Sequence, residues 1–191
     1  MTSTRIGRIG LALALALAWI TAAATAARAQ EPIVPSWIHA DAAAKRAVIE
    51  VEAGWNANNG TLNFNGYANG EIRIVIPVDW HILAKLHNAD LTLAHSMVIT
   101  KPFAKGQFPN EAGAQDAAIR RAYTSNPTGG IFNGSDEFDF TAAEKVIGDY
   151  YLFCGVTTHG VAGMWVHFAV RREAESPYIQ ILTTPAKPGR P

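Results

Sequence analysis

The chain has almost no cysteine: Cys154 is the single one among 191 residues. That excludes an intramolecular disulfide, and with it the stapled scaffolds common among small exported proteins. Charge is also sparse, at 17% of residues with a formal net charge of zero. No basic cluster is present to hold nucleic acid or an anionic membrane surface. After residue 29 there is no apolar run long enough to be a transmembrane candidate.

What the N-terminus does contain reads as an export signal. Arg5 and Arg8 precede any acidic residue, Leu11 to Ala18 alternates leucine with alanine, and Ala27-Arg28-Ala29 has the small-x-small pattern of a cleavage site. Ile6 and Gly7 separate the two arginines, so a twin-arginine signal is not supported, and without a following cysteine there is no lipid-modified N-terminus. An uncleaved anchor is the competing reading, but the Ala-rich ending favours cleavage before Gln30 and a periplasmic or otherwise extracytoplasmic product without membrane attachment. Residues 1–29 are therefore expected to be a signal peptide. Their removal takes three of the 16 basic residues, leaving 162 residues and a net charge near −3. That length suits one domain, expected over 30–183, and the proline-rich residues 184–191 are expected to be a disordered tail.

Short alternating runs fill the first half. Ala47–Ala53, Thr61–Asn65, Ile72–Pro77, Trp80–His87 and Leu91–Thr100 read as strands, punctuated by Asn59-Gly60, Asn65-Gly66 and Asn69-Gly70. The spacing predicts an antiparallel sandwich or barrel, with no βαβ units. Residues 101–148 differ in composition and read as a long insertion over one end of the sandwich. Glu111–Tyr123 is Ala-rich and predicts a short helix, and Thr141-Ala-Ala-Glu144 predicts a capping box opening a helical turn. Asp149–Phe153 and Trp165–Val170 then close the domain as strands, with Tyr178–Thr183 as an edge strand.

A lone thiol in an oxidising compartment is vulnerable unless it is buried or ligated. Between the last two strong strands lies Cys154-Gly-Val-Thr-Thr-His159-Gly-Val-Ala-Gly-Met164, which brings a thiolate, an imidazole and a thioether onto one loop. Gly155, Gly160 and Gly163 allow the turns that fold three side chains around a point. With a second histidine this is the donor set of a mononuclear blue copper site. His39 lies in a polar stretch, His81 and His87 in a strand-like run, and His167 too far along the following strand. His95, which opens the apolar run Ser96-Met97-Val98-Ile99, is the best candidate.

The segments Asn63-Phe64-Asn65-Gly66-Tyr67-Ala68-Asn69-Gly70, Leu93-Ala94-His95-Ser96-Met97 and Tyr151 to Trp165 resemble sulfocyanins, cupredoxins related to rusticyanin. The resemblance covers about Val48 to Val170. It implies an all-β Greek-key cupredoxin sandwich, with one copper ion held by His95, Cys154, His159 and an axial Met164. It also implies that Ser96 lies against the thiolate sulfur, a contact which together with a dry surround raises the reduction potential.

On this reading the protein is an electron carrier and not an enzyme, passing single electrons between redox partners in a respiratory-type chain. A c-type cytochrome or a copper or haem oxidase is the expected partner. Val156, Gly160, Val161 and Ala162 around His159 are small and apolar, as expected of a docking patch. Two rivals remain open. One is a copper-delivery module, and the other is a Cys–His hydrolase with Cys154 as nucleophile and His159 as base. A dinuclear copper centre needs a second cysteine. A multicopper oxidase needs a His-Cys-His bridge, and here Phe153 and Gly155 flank the cysteine.

Overall fold

The computed structural model describes residues 31–104 and 107–191. The expected signal peptide, residues 1–29, lies outside the described residues. Among the described residues nine strands form two sheets: β1 (Ile38–Asp41), β2 (Arg46–Ala53), β3 (Ile72–Pro77), β4 (His81–Asn88), β5 (Val98–Thr100), β6 (Ser135–Thr141), β7 (Gly148–Phe153), β8 (Trp165–Arg171) and β9 (Tyr178–Ile181). One sheet has the order β1-β2-β4-β6, the other β5-β7-β8-β3-β9.

Alternation decides which faces meet. In β2, Ala47, Ile49, Val51 and Ala53 are buried while Val48, Glu50 and Glu52 face outward. Ile72, Ile74 and Ile76 of β3, Ile82 and Leu86 of β4, and Val166 and Phe168 of β8 point into the same core from both sheets. Each such side chain contributes about 1.5–3 kcal/mol by leaving water. The sheets are not purely antiparallel as expected, because β2 runs parallel to β4 and β3 parallel to β8. The chain passes from sheet to sheet between these pairs, so their partners are not joined by hairpins.

Several expected elements differ. Thr61–Asn65 forms no strand; it follows a 3-10 turn over Asn58–Thr61. Of Leu91–Thr100 only the last three residues are strand. The partly helical insertion is not helical: among the described residues the only helical pieces are 3-10 turns. Gly113 opens one of them, over Ala114–Asp116, with its N–H donating to the Asp116 carboxylate at 2.8 Å. Beyond it the chain becomes extended, and its backbone bonds to the free edge of β5, from Ala118 N–H to Ile99 O at 2.8 Å and from Thr124 N–H to Met97 O at 2.9 Å. An open strand edge thus takes up the hydrogen bonds that a helix would have kept internal. The Thr141 capping box does not form either; Thr141 ends β6, a strand the insertion supplies to the first sheet, and the next turn spans Glu144–Val146.

Residues 184–191, expected as a disordered tail, are seated. Arg190 N–H donates to Asn65 O at 2.7 Å, Trp37 Nε1–H to Arg190 O at 3.1 Å, and Asn56 Nδ2 to Pro188 O at 2.8 Å. The Arg190 guanidinium reaches Glu50 at 3.5 Å. The three prolines suit an irregular, preformed strap as well as they suit a loose end.

Candidate metal centre

Strand pairing sets the location. β5 lies antiparallel to β7 with Val98 opposite Phe153, which brings His95, just before β5, to the same end as Cys154, just after β7. Phe153 and Trp165 are the last partners of the β7–β8 pair, so residues 154–164 form the connection between them. Cys154 N–H donates to Met164 O at 3.0 Å, and Met164 N–H donates to His159 O at 3.0 Å, so the loop folds back on itself. Gly160 is required by close approach: a Cβ there would lie 1.8 Å from the Phe153 ring. At Gly163 the reason is backbone conformation, φ +100°.

Two other segments brace this loop. On one side Thr158 N–H donates to Asn110 O at 2.7 Å and Ala112 N–H to Gly155 O at 3.1 Å, so the insertion is fastened to it. On the other, Asn59 Nδ2 donates to Ala162 O at 2.9 Å, and Asn69 N–H to Gly163 O at 2.8 Å.

One donor atom from each of His95, Cys154 and His159 falls within a 4.8 Å cluster. Cys154 Sγ is 3.6 Å from His159 Nδ1, and the two imidazole centroids are 5.1 Å apart. His95, Cys154 and Met164 are fully buried, while His159 keeps 8% of its surface. His95 Nδ1 is buried without a hydrogen-bond partner, as a nitrogen reserved for a metal would be. Its other ring nitrogen, Nε2, faces Asp90 Oδ2 at 3.4 Å.

The electrostatics favour neutral donors until a cation arrives. Burial pushes the Cys154 thiol up, against the N–H groups of Ser96 and Val156, which favour the thiolate. Burial also lowers His159, to about 4, helped by neighbouring His95 and opposed by Asp90. A soft thiolate, two imidazoles and a buried thioether fit one copper ion. They suit a nucleophile poorly, because the thiol is sealed from any substrate and Asp90 lies on His95, away from His159.

Ser96 touches the sulfur at 3.9 Å, with its hydroxyl proton directed to Pro127 O at 2.6 Å and Gly155 N–H donating to its oxygen at 3.0 Å. Of the four patch residues, Val161 is 53% exposed, Ala162 is exposed and Val156 is half-buried. Gly160 is buried over the Phe153 ring and offers no surface, a correction to the expected patch. His39 lies 3.5 Å from Glu50, His81 3.7 Å from Asp139 and His87 3.2 Å from Ser135, while His167 packs between Tyr151 and Trp165. None of these four belongs to the cluster.

Asp90 was missing from the sequence reading. Its signal is the Asx-type turn Asn88-Ala-Asp90-Leu-Thr92, a buried carboxylate five residues before His95.

The sulfocyanin (SoxE) domain model matches residues 36–181. The chain belongs to the sulfocyanin family. A sulfocyanin of Sulfolobus acidocaldarius is 28% identical over 135 residues, which cover 70% of this chain and 66% of that protein. The chain thus spans just under two thirds of that relative. Among solved structures, auracyanin A, a blue copper protein of Chloroflexus aurantiacus, is similar at 16% identity with a TM-score of 0.45, over 66% of this chain and 99% of that one. Rusticyanin from Thiobacillus ferrooxidans is similar at 16% identity with a TM-score of 0.43, over 71% of this chain and 86% of that one.

Proposed function

We propose that this sulfocyanin-family chain is an extracytoplasmic one-electron carrier, a mononuclear type 1 copper protein in which His95, Cys154, His159 and Met164 would hold the ion. The observation that carries this is the buried convergence of three donors within 4.8 Å around the unpartnered His95 Nδ1. Copper, when bound, supplies a one-electron couple between Cu(I) and Cu(II). The chain supplies a prearranged, water-poor donor set, which limits rearrangement when the charge changes.

His159 is the donor nearest solvent, so its ring edge is the shortest way from the centre to a docked partner. Around it lie exposed apolar side chains suited to brief encounters. Val161 and Ala162 come from the loop itself. Such a surface fits a redox protein such as a c-type cytochrome or a terminal oxidase in a respiratory-type chain. Full burial of the thiol favours retention of the metal over delivery.

Titrating the protein from Gln30 onward with Cu(II) under visible spectroscopy tests the assignment. An intense thiolate-to-copper band should develop to one equivalent and be absent in Cys154→Ser. Colourless binding, or a hydrolytic activity lost in that variant, would reject it.

A further inference from the structure

Asp90 sits in a site built to hold a negative charge. It is 6% exposed, yet four donors converge on its carboxylate. Thr61 Oγ–H donates to Oδ2 at 2.7 Å, while Thr92 N–H at 2.7 Å, Thr92 Oγ–H at 2.7 Å and Leu93 N–H at 3.0 Å donate to Oδ1. Asn88 holds the turn from behind: its Oδ1 accepts Asp90 N–H at 2.9 Å, and its Nδ2 donates to Leu93 O at 2.8 Å and Ile131 O at 2.7 Å. Hydrogen bonds of this number and kind keep a buried carboxylate ionised. The remaining direction from Oδ2 leads to His95 Nε2 at 3.4 Å.

The two ring nitrogens of His95 are thereby assigned different tasks. A carboxylate can only accept, so Nε2 carries the proton, and Nδ1 is left with a free lone pair that no protein donor uses. A carboxylate behind a ligating imidazole also makes the ring more basic, and its charge favours the more oxidised ion.

We propose that Asp90 is the positioning residue of the His95 side of the centre: it fixes the Nε2–H tautomer and holds the reduction potential of the bound copper down. This rests on the copper reading given above. It opposes the upward drive from burial and from the donors to sulfur, so the potential is a balance between the two sides. The choice of electron donor then depends on a residue that touches neither metal nor partner.

Two measurements test it. In metal-free, 15N-labelled wild-type protein, nitrogen–proton correlation spectra should place the His95 proton on Nε2; a proton on Nδ1 overturns the proposal without reference to copper. In Asp90→Asn loaded with copper, the Cu(II) dissociation constant should rise about 10- to 100-fold. The Cu(I) constant should change less, and each tenfold excess on the Cu(II) side raises the potential by about 59 mV. A blue Asp90→Asn protein with an unchanged or lowered potential also overturns it. A wild-type protein that stays colourless with Cu(II) fails the copper reading instead, so the two failures are distinguishable.

Discussion

The two imidazoles of the centre are held in opposite ways. His95 is sealed, tied through Asp90 to Thr61, Thr92 and Leu93, with its own backbone paired to Ile131 at 3.1 and 2.9 Å. His159 lies on a loop of turns, keeps 8% of its surface, and has Val161 exposed two residues on. In the proposed carrier the sealed side would fix geometry and charge, and the rim side would connect the centre to the outside. A carrier needs both: a stiff donor set for small rearrangement and one donor within reach of a partner.

The largest effect should come from trimming each ring in turn. In His159→Gly the vacated space borders solvent, so added imidazole should restore the visible band. In His95→Gly the space is closed and leaves the Asp90 carboxylate without its nitrogen partner, so imidazole should fail and copper binding should be lost. Equal rescue of both variants would dissolve the contrast. Val161→Asp should slow transfer to a partner cytochrome by about tenfold at unchanged absorption, because it charges an apolar contact surface. Stopped-flow kinetics checks this, and unchanged rates with an unchanged spectrum would remove the docking role from the His159 rim.

Asn59→Ala removes the Nδ2 bonds to Ala162 O and Leu62 O and places alanine at a left-handed φ of 50°, so it should lower stability by about 1–3 kcal/mol, read by denaturant unfolding. The Nε2 tautomer of His95 should be untouched. The smallest effect concerns His167, outside both sides. Burial lowers it below the ordinary histidine value, as does Arg73, against Asp149. The unfolded chain therefore binds more protons as pH falls below about 6.5, and stability drops until the folded-state value is passed. His167→Gln should make that part of a melting-temperature profile of the metal-free protein less steep, leaving the share of His159, which burial also lowers.

The proposed loop ligands could be picked out in the sequence because their chemistry is local: a thiol, an imidazole and a thioether at fixed intervals between two alternating runs. His95 was singled out by its place before an apolar strand and by the family resemblance, and the structure brings it to the same cluster. Asp90 was not, since its role arises from Thr61, 29 residues earlier, and from the fold of a turn. The strands of β2, β3, β4, β7 and β8 could be read from alternation, within a residue at each end. The stretch 111–123 could not. Its alanines favour helix by intrinsic propensity, and the edge of β5, remote in sequence, outweighs that preference. The tail likewise depends on Trp37, Asn56 and Asn65, whose positions no local pattern announces.

The bracing of the 154–164 loop bears on protein engineering. Its shape depends on Asn110, Ala112, Asn59 and Asn69, none of which lies within it. Grafted alone onto another β-hairpin, the eleven-residue cassette from Cys154 to Met164 would carry the right donors in the right order and still lack the walls that shape it. A transplant would have to move the Asn-rich turn and the strip around Asn110 as well. The portable unit is a socket assembled from three stretches of chain.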